Sequence, residues 1–132
     1  MGFEEIPHTA DWSVRVWAED LASLFVEAAR AMNSLSGTVA GNGPRLKRTF
    51  ESEAPDAESL LVGFLSELVY FQEQESLVFD VFQVDVDRQR LAVEMEGGPV
   101  ERVDKAIKAV TYHNLKIDNT DKGLETTIVF DV

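Results

Sequence analysis

Residues 55–95, PDAESLLVGFLSELVYFQEQESLVFDVFQVDVDRQRLAVEM, change their hydrophobic period part-way along, and that change decides the fold class. In the first part Leu60, Leu61, Phe64, Leu65, Leu68 and Val69 recur at helical spacing after the start signal Pro55-Asp56. This predicts a broadly apolar helix running to about Gln74. From Leu77 to Val86 the pattern becomes strand-like, the polar Asp87-Arg88-Gln89-Arg90 reads as a turn, and Leu91 to Met95 reads as the returning strand of a hairpin. Gly97-Gly98-Pro99 is expected to close that hairpin.

Working outward toward the N-terminus, Asp20 is positioned as an N-cap. Leu21, Leu24, Phe25, Ala28, Met32 and Leu35 then share one helical face until Gly37 ends the pattern. Before this helix, Trp12, Val14 and Val16 alternate with Ser13 and Arg15 as in a strand, preceded by Phe3 and Ile6. The segment His8-Thr9-Ala10-Asp11 falls at the junction. Gly41 to Pro44 reads as a turn, followed by an edge strand around Leu46, Thr49 and Phe50.

Toward the C-terminus, Val103–Ile117 suits a helix by the spacing of Val103, Ala106, Ile107 and Val110. The β-branched and aromatic residues Val110, Thr111 and Tyr112 suit a strand, and a strand is expected from about Ala109. After a turn from Asn119 to Gly123, Thr126 to Val132 reads as a strand that carries the last carboxylate. The expected architecture is α+β: a single domain over residues 1–132, with a mixed or antiparallel sheet and two amphipathic helices packed on it.

Composition narrows the chemistry. The 132 residues are 45% hydrophobic, enough for a core that buries roughly two thirds of the unfolded surface. There is no cysteine, so disulfides, thiolate nucleophiles and sulfur-bound metals are excluded, and any metal must be held by oxygen or imidazole. The start of the chain lacks the basic and apolar regions of a leader, and no stretch reaches the ~20 apolar residues of a membrane span. A cytoplasmic protein without a membrane partner is expected. Twenty-four acidic residues against 12 basic ones leave a net charge of −12, a field that repels nucleic acid, although plain solubility accounts for most acidic surfaces.

No Walker A, Gly-x-Gly-x-x-Gly or Gly-x-Ser-x-Gly pattern occurs, and only His8 and His113 could serve as imidazole bases, so no catalytic residue and no nucleotide-binding loop are expected. Two carboxylates stand among apolar neighbours: Asp11 between Ala10 and Trp12, and Asp131 between Phe130 and Val132. A hard cation could satisfy both, yet from the residues alone Asp11 can equally cap a turn and Asp131 can face solvent. His8, beside Pro7, reads as a structural histidine bonded to backbone. Lys105 and Lys108 read first as solvated flanks of an apolar run.

Three segments taken together resemble the archease family: His8 to Asp11 (HTAD), Ile107 to His113 (IKAVTYH) and Val129 to Val132 (VFDV). The resemblance covers essentially the whole chain. It implies a non-catalytic accessory protein that activates a GTP-dependent RNA-splicing ligase, which joins a 3′-phosphate or 2′,3′-cyclic phosphate end to a 5′-hydroxyl. The family member promotes guanylylation and multiple turnover of the ligase, and reaches tRNA only through it. The resemblance further implies a divalent cation, Ca²⁺ or Mg²⁺, held by Asp11, Asp131 and Val132, with Lys108 as a contact to the ligase or its nucleotide. A stand-alone metal-dependent hydrolase using the two aspartates and a chaperone-like interaction module are the alternatives. The metal reading requires Asp11 and Asp131 to converge in space.

Overall fold

In the computed structural model the described residues are 1–6 and 12–132; His8 and Asp11 lie outside them. The elements follow in the order β1 (Gly2–Ile6), β2 (Trp12–Ala18), α1 (Leu21–Ser36), β3 (Val39–Ala40), β4 (Leu46–Glu53), α2 (Ala57–Glu75), β5 (Leu77–Asp87), β6 (Arg90–Arg102), β7 (Ala109–Val110), β8 (Asp118–Thr120) and β9 (Gly123–Asp131).

α1 starts at the cap expected at Asp20, and α2 starts at the Pro55-Asp56 signal, with Asp56 as its N-cap. The Asp20 side chain accepts a hydrogen bond from the Ser23 N–H at 2.8 Å, and Asp56 accepts one from the Ser59 N–H at 2.7 Å, each satisfying a first-turn donor that has no partner within the helix. Gly37 ends α1 in the left-handed region, φ 65°, where a Cβ would be strained. The bonds from Ser23 and Ser59 hold both carboxylates below their ordinary value of 3.8. A depressed pKa in the folded state stabilises the fold above the unfolded value and loses that contribution as pH falls through the folded one. The melting temperature is therefore expected to fall as pH drops below about 4. Replacing both caps by Asn, which accepts the same bond without titrating, is expected to make that decline shallower in a thermal-melt series from pH 6 to pH 2.

The strands form two antiparallel sheets among the described residues. One has the order β1-β2-β9-β7, with β8 also pairing with β9; the other has β6 between β5 on one side and β3 and β4 on the other. Each helix packs against both: α1 touches β2 and β5, and α2 touches β5 and β7. That position explains the width of the α2 stripe. Leu60, Leu61, Val62, Phe64, Leu65, Leu68, Val69 and Phe71 are all buried, covering more of the helix than a single sheet contact requires. One hydrophobic cluster draws on both helices and both sheets, with Phe25 and Phe64 stacked at 6.0 Å near its centre and Phe82 set edge-on to Phe64 at 5.9 Å.

Two expectations are corrected. Gly97-Gly98-Pro99 does not close the hairpin; β6 runs through it to Arg102. Opposite Gly97 the β5 register shifts between Phe79 and Val81, leaving Asp80 as an extra residue. A Cβ on Gly97 would lie 1.9 Å from the Val78 carbonyl oxygen, so this glycine permits a close backbone approach at a bulge and makes no turn. Arg45 then clasps the bulge, reaching Asp80 Oδ2 at 3.0 Å and Glu96 Oε2 at 3.1 Å. The strand expected from Ala109 onward is only two residues long. It stops because Asn114 takes a left-handed φ of 52°, the Leu115 N–H turns back to the Tyr112 carbonyl at 3.1 Å, and the Ile117 N–H donates to Glu58 Oε2 at 3.1 Å.

Candidate functional site

β9 occupies the middle of its sheet because its alternation is strict: Thr126, Ile128 and Phe130 point into the core and are buried. Phe130, with no exposed surface, is paired with Trp12 of β2 on one side and with Val110 of β7 on the other. Asp131, the next residue, points the opposite way and is exposed.

Asp131 pairs with Ala109, and its carbonyl accepts a hydrogen bond from the Lys108 N–H at 2.8 Å. Lys108 is exposed, held in place by the buried flanking residues Ile107 and Val110, and the Thr111 N–H donates to the Val129 carbonyl at 3.0 Å. The Ile107–His113 block and the last residues of the chain are therefore joined by main-chain hydrogen bonds. Asp11 lies outside the described residues, as does His8. The neighbour of Asp11 in the chain, Trp12, is the register partner of Phe130, the neighbour of Asp131. The Ile107–His113 block, the last residues of the chain and Trp12, the first described residue after the HTAD segment, thus meet at the same end of β9.

Chemically, this end presents the exposed side chains of Asp131 and Lys108 and the half-buried Val132. These are hard oxygen donors and one exposed cationic side chain. Among the described residues no group of three or more His, Cys, Asp or Glu is gathered closely enough to hold a metal ion. Tyr112, 62% exposed, and His113, also exposed, stand just beyond β7. Tyr112 reads by periodicity as a strand residue, yet an aromatic left in solvent beside a polar site suits a protein contact. The contact of Ile117 with Glu58, 59 positions away, had no signal in the sequence.

The profile of the Archease protein family matches residues 3–132. This chain belongs to the archease family. The protein archease of Methanopyrus kandleri is 33% identical over 140 residues and the alignment covers 100% of each chain. The protein archease of Methanosarcina mazei is 34% identical, with 98% of this chain and 95% of that one covered. In structure, the chain is similar to protein 1598 of Methanobacterium thermoautotrophicum, known in solution, with a TM-score of 0.72 at 24% identity and 99% of both chains covered. It is likewise similar to a crystal structure from Thermotoga maritima described as an archease and possible chaperone, with a TM-score of 0.70, 20% identity, and 98% of this chain and 96% of that one covered. The α+β fold expected for an archease is thereby established. No helix among the described residues is long and apolar enough to cross a membrane.

Proposed function

We propose that this archease is a non-catalytic, metal-binding accessory protein that activates a GTP-dependent RNA-splicing ligase, promoting its guanylylation and multiple turnover in the cytoplasm. The observation that carries the reading is the meeting of the IKAVTYH block with Asp131 at the end of β9, beside the strand that continues from the HTAD segment. Asp11, Asp131 and Val132 are the ligands in this reading, and a divalent cation held there, Ca²⁺ or Mg²⁺, would supply positive charge against the GTP phosphates. Lys108, fixed by its main-chain bond to Asp131, faces the ligase or its nucleotide. The acidic body, −12 overall, favours approach to a cationic active-site rim and disfavours direct capture of tRNA.

The test is the covalent guanylate adduct on the host's purified ligase, followed with GTP and with or without a chelator. Wild-type protein is expected to accelerate its formation, and Asp131→Ala or Asp11→Ala, shown folded by circular dichroism, to lose about tenfold or more of that acceleration. Lys108→Ala is expected to weaken acceleration while leaving metal binding, read by calorimetry, unchanged. Full acceleration by both folded aspartate variants would remove the metal reading. No acceleration by the wild type would remove the ligase.

A further inference from the structure

We infer that β4 is a pairing edge for a second copy of this chain, joined antiparallel about Phe50 by a twofold axis. Among the described residues no strand covers the outer edge of β4. The Ala54 N–H donates to the Gln89 carbonyl at 3.0 Å, continuing the β4–β6 register, so the even-numbered residues turn their main-chain groups toward β6. Lys47, Thr49, Glu51 and Glu53 therefore direct their N–H and C=O groups at the open edge, and their side chains lie on the exposed face.

Pairing about Phe50 sets Lys47 opposite Glu53 of the second copy, twice by symmetry, where Glu53, in an exposed ion pair with Arg90 at 3.3 Å, gains a second cation, with every outward main-chain group of this run satisfied. On the inner face Arg48 meets Ser52. The Ser52 hydroxyl is buried with no hydrogen-bond partner among the described residues, and the Arg48 guanidinium is bonded to the Lys47 carbonyl at 3.1 Å. A second copy offers each a better partner.

Neighbouring twofold registers are poorer. A shift one way sets Glu51 against Glu51. A shift the other way, about Thr49, also sets Lys47 opposite Glu51, but it sets Arg48 against Phe50 instead of Ser52 and asks Arg45, already engaged with Asp80 and Glu96, to meet Glu53. The other edges lack the pattern: β1 carries Glu4 and Glu5, and β5 carries Asp80, Asp85 and Asp87, with no base on either strand. Charges of one sign protect an edge from pairing, whereas the two signs on β4 permit it to pair with itself.

The contact is small and each copy carries a charge of −12, so the association is expected to be weak. The test is sedimentation equilibrium from about 10 μM to about 1 mM at about 0.15 M salt, which screens the overall repulsion. The mean mass should rise from 14.7 kDa toward twice that value. Thr49→Pro removes an N–H that faces only solvent in the single copy, so it should leave the fold intact and hold the protein at monomer mass. Lys47→Glu should weaken the dimer about tenfold, and Lys47→Glu combined with Glu53→Lys should restore it, because both cross-strand pairs re-form with reversed sign. A wild-type chain monomeric at 1 mM, folded Thr49→Pro that dimerises as wild type does, or a charge swap that restores nothing would each overturn the inference.

Discussion

Gly97→Ala is expected to destabilise the protein by about 3 kcal/mol or more and to lower its Tm by about 10 °C, while Gly98→Ala, one residue on, costs about 1 kcal/mol or less. The asymmetry is a matter of space. At Gly97 the added methyl would sit 1.9 Å from the Val78 carbonyl oxygen and 2.6 Å from the Phe79 Cα, both main-chain atoms of β5 that cannot rotate away. Relief requires β5 and β6 to part at the bulge where Arg45 binds Asp80 and Glu96. At Gly98 the nearest atom is the Pro44 carbonyl oxygen at 3.4 Å, close to ordinary contact. Thermal melts of the two variants decide the matter. Equal melting temperatures would contradict the close approach.

Phe64→Ala is expected to cost 3 to 5 kcal/mol, roughly 10–15 °C in Tm, without changing the helical content of the protein that remains folded. Phe64 has no exposed surface and is in ring contact with Phe25 of α1 and Phe82 of β5, so its loss leaves a cavity bounded by both helices and the second sheet. Tyr70→Ala on the same helix provides the comparison. Tyr70 is 51% exposed and should cost much less, although it also loses an edge contact to Phe71. Chemical denaturation of both variants measures the difference, and a Phe64→Ala cost below about 1 kcal/mol would mean that the core closes over the gap.

The readable parts of this chain were those whose cause lies within a few residues. Asp20 and Asp56 cap helices through bonds to residues three positions on, Gly37 ends α1 by its own backbone freedom, and the Asp87–Arg90 turn joins two strands that pair in immediate succession. The α+β class followed from these. The exposure of Asp131 also follows from alternation once Phe130 is committed to the core. The family resemblance, carried by one short segment near the start of the chain and two near its end, pointed to Asp11, Asp131 and Val132 and to Lys108.

Tertiary structure alone decided the remainder, because the interactions responsible join residues far apart in sequence and leave no local period. Gly97 reads as a turn until the bulge at Asp80 shows what it accommodates. The segment after Val110 keeps strand-forming residues, yet its main chain is diverted by the turn at Asn114 and by Glu58 on α2, and a local propensity cannot outweigh those bonds. The division of the strands into two sheets was likewise set by helices that touch both. So was the junction of Lys108 with Asp131: residues 108 and 131 meet only because Ile107, Val110 and Phe130 are all drawn into one buried core, and burial of apolar surface acts without regard to distance along the chain.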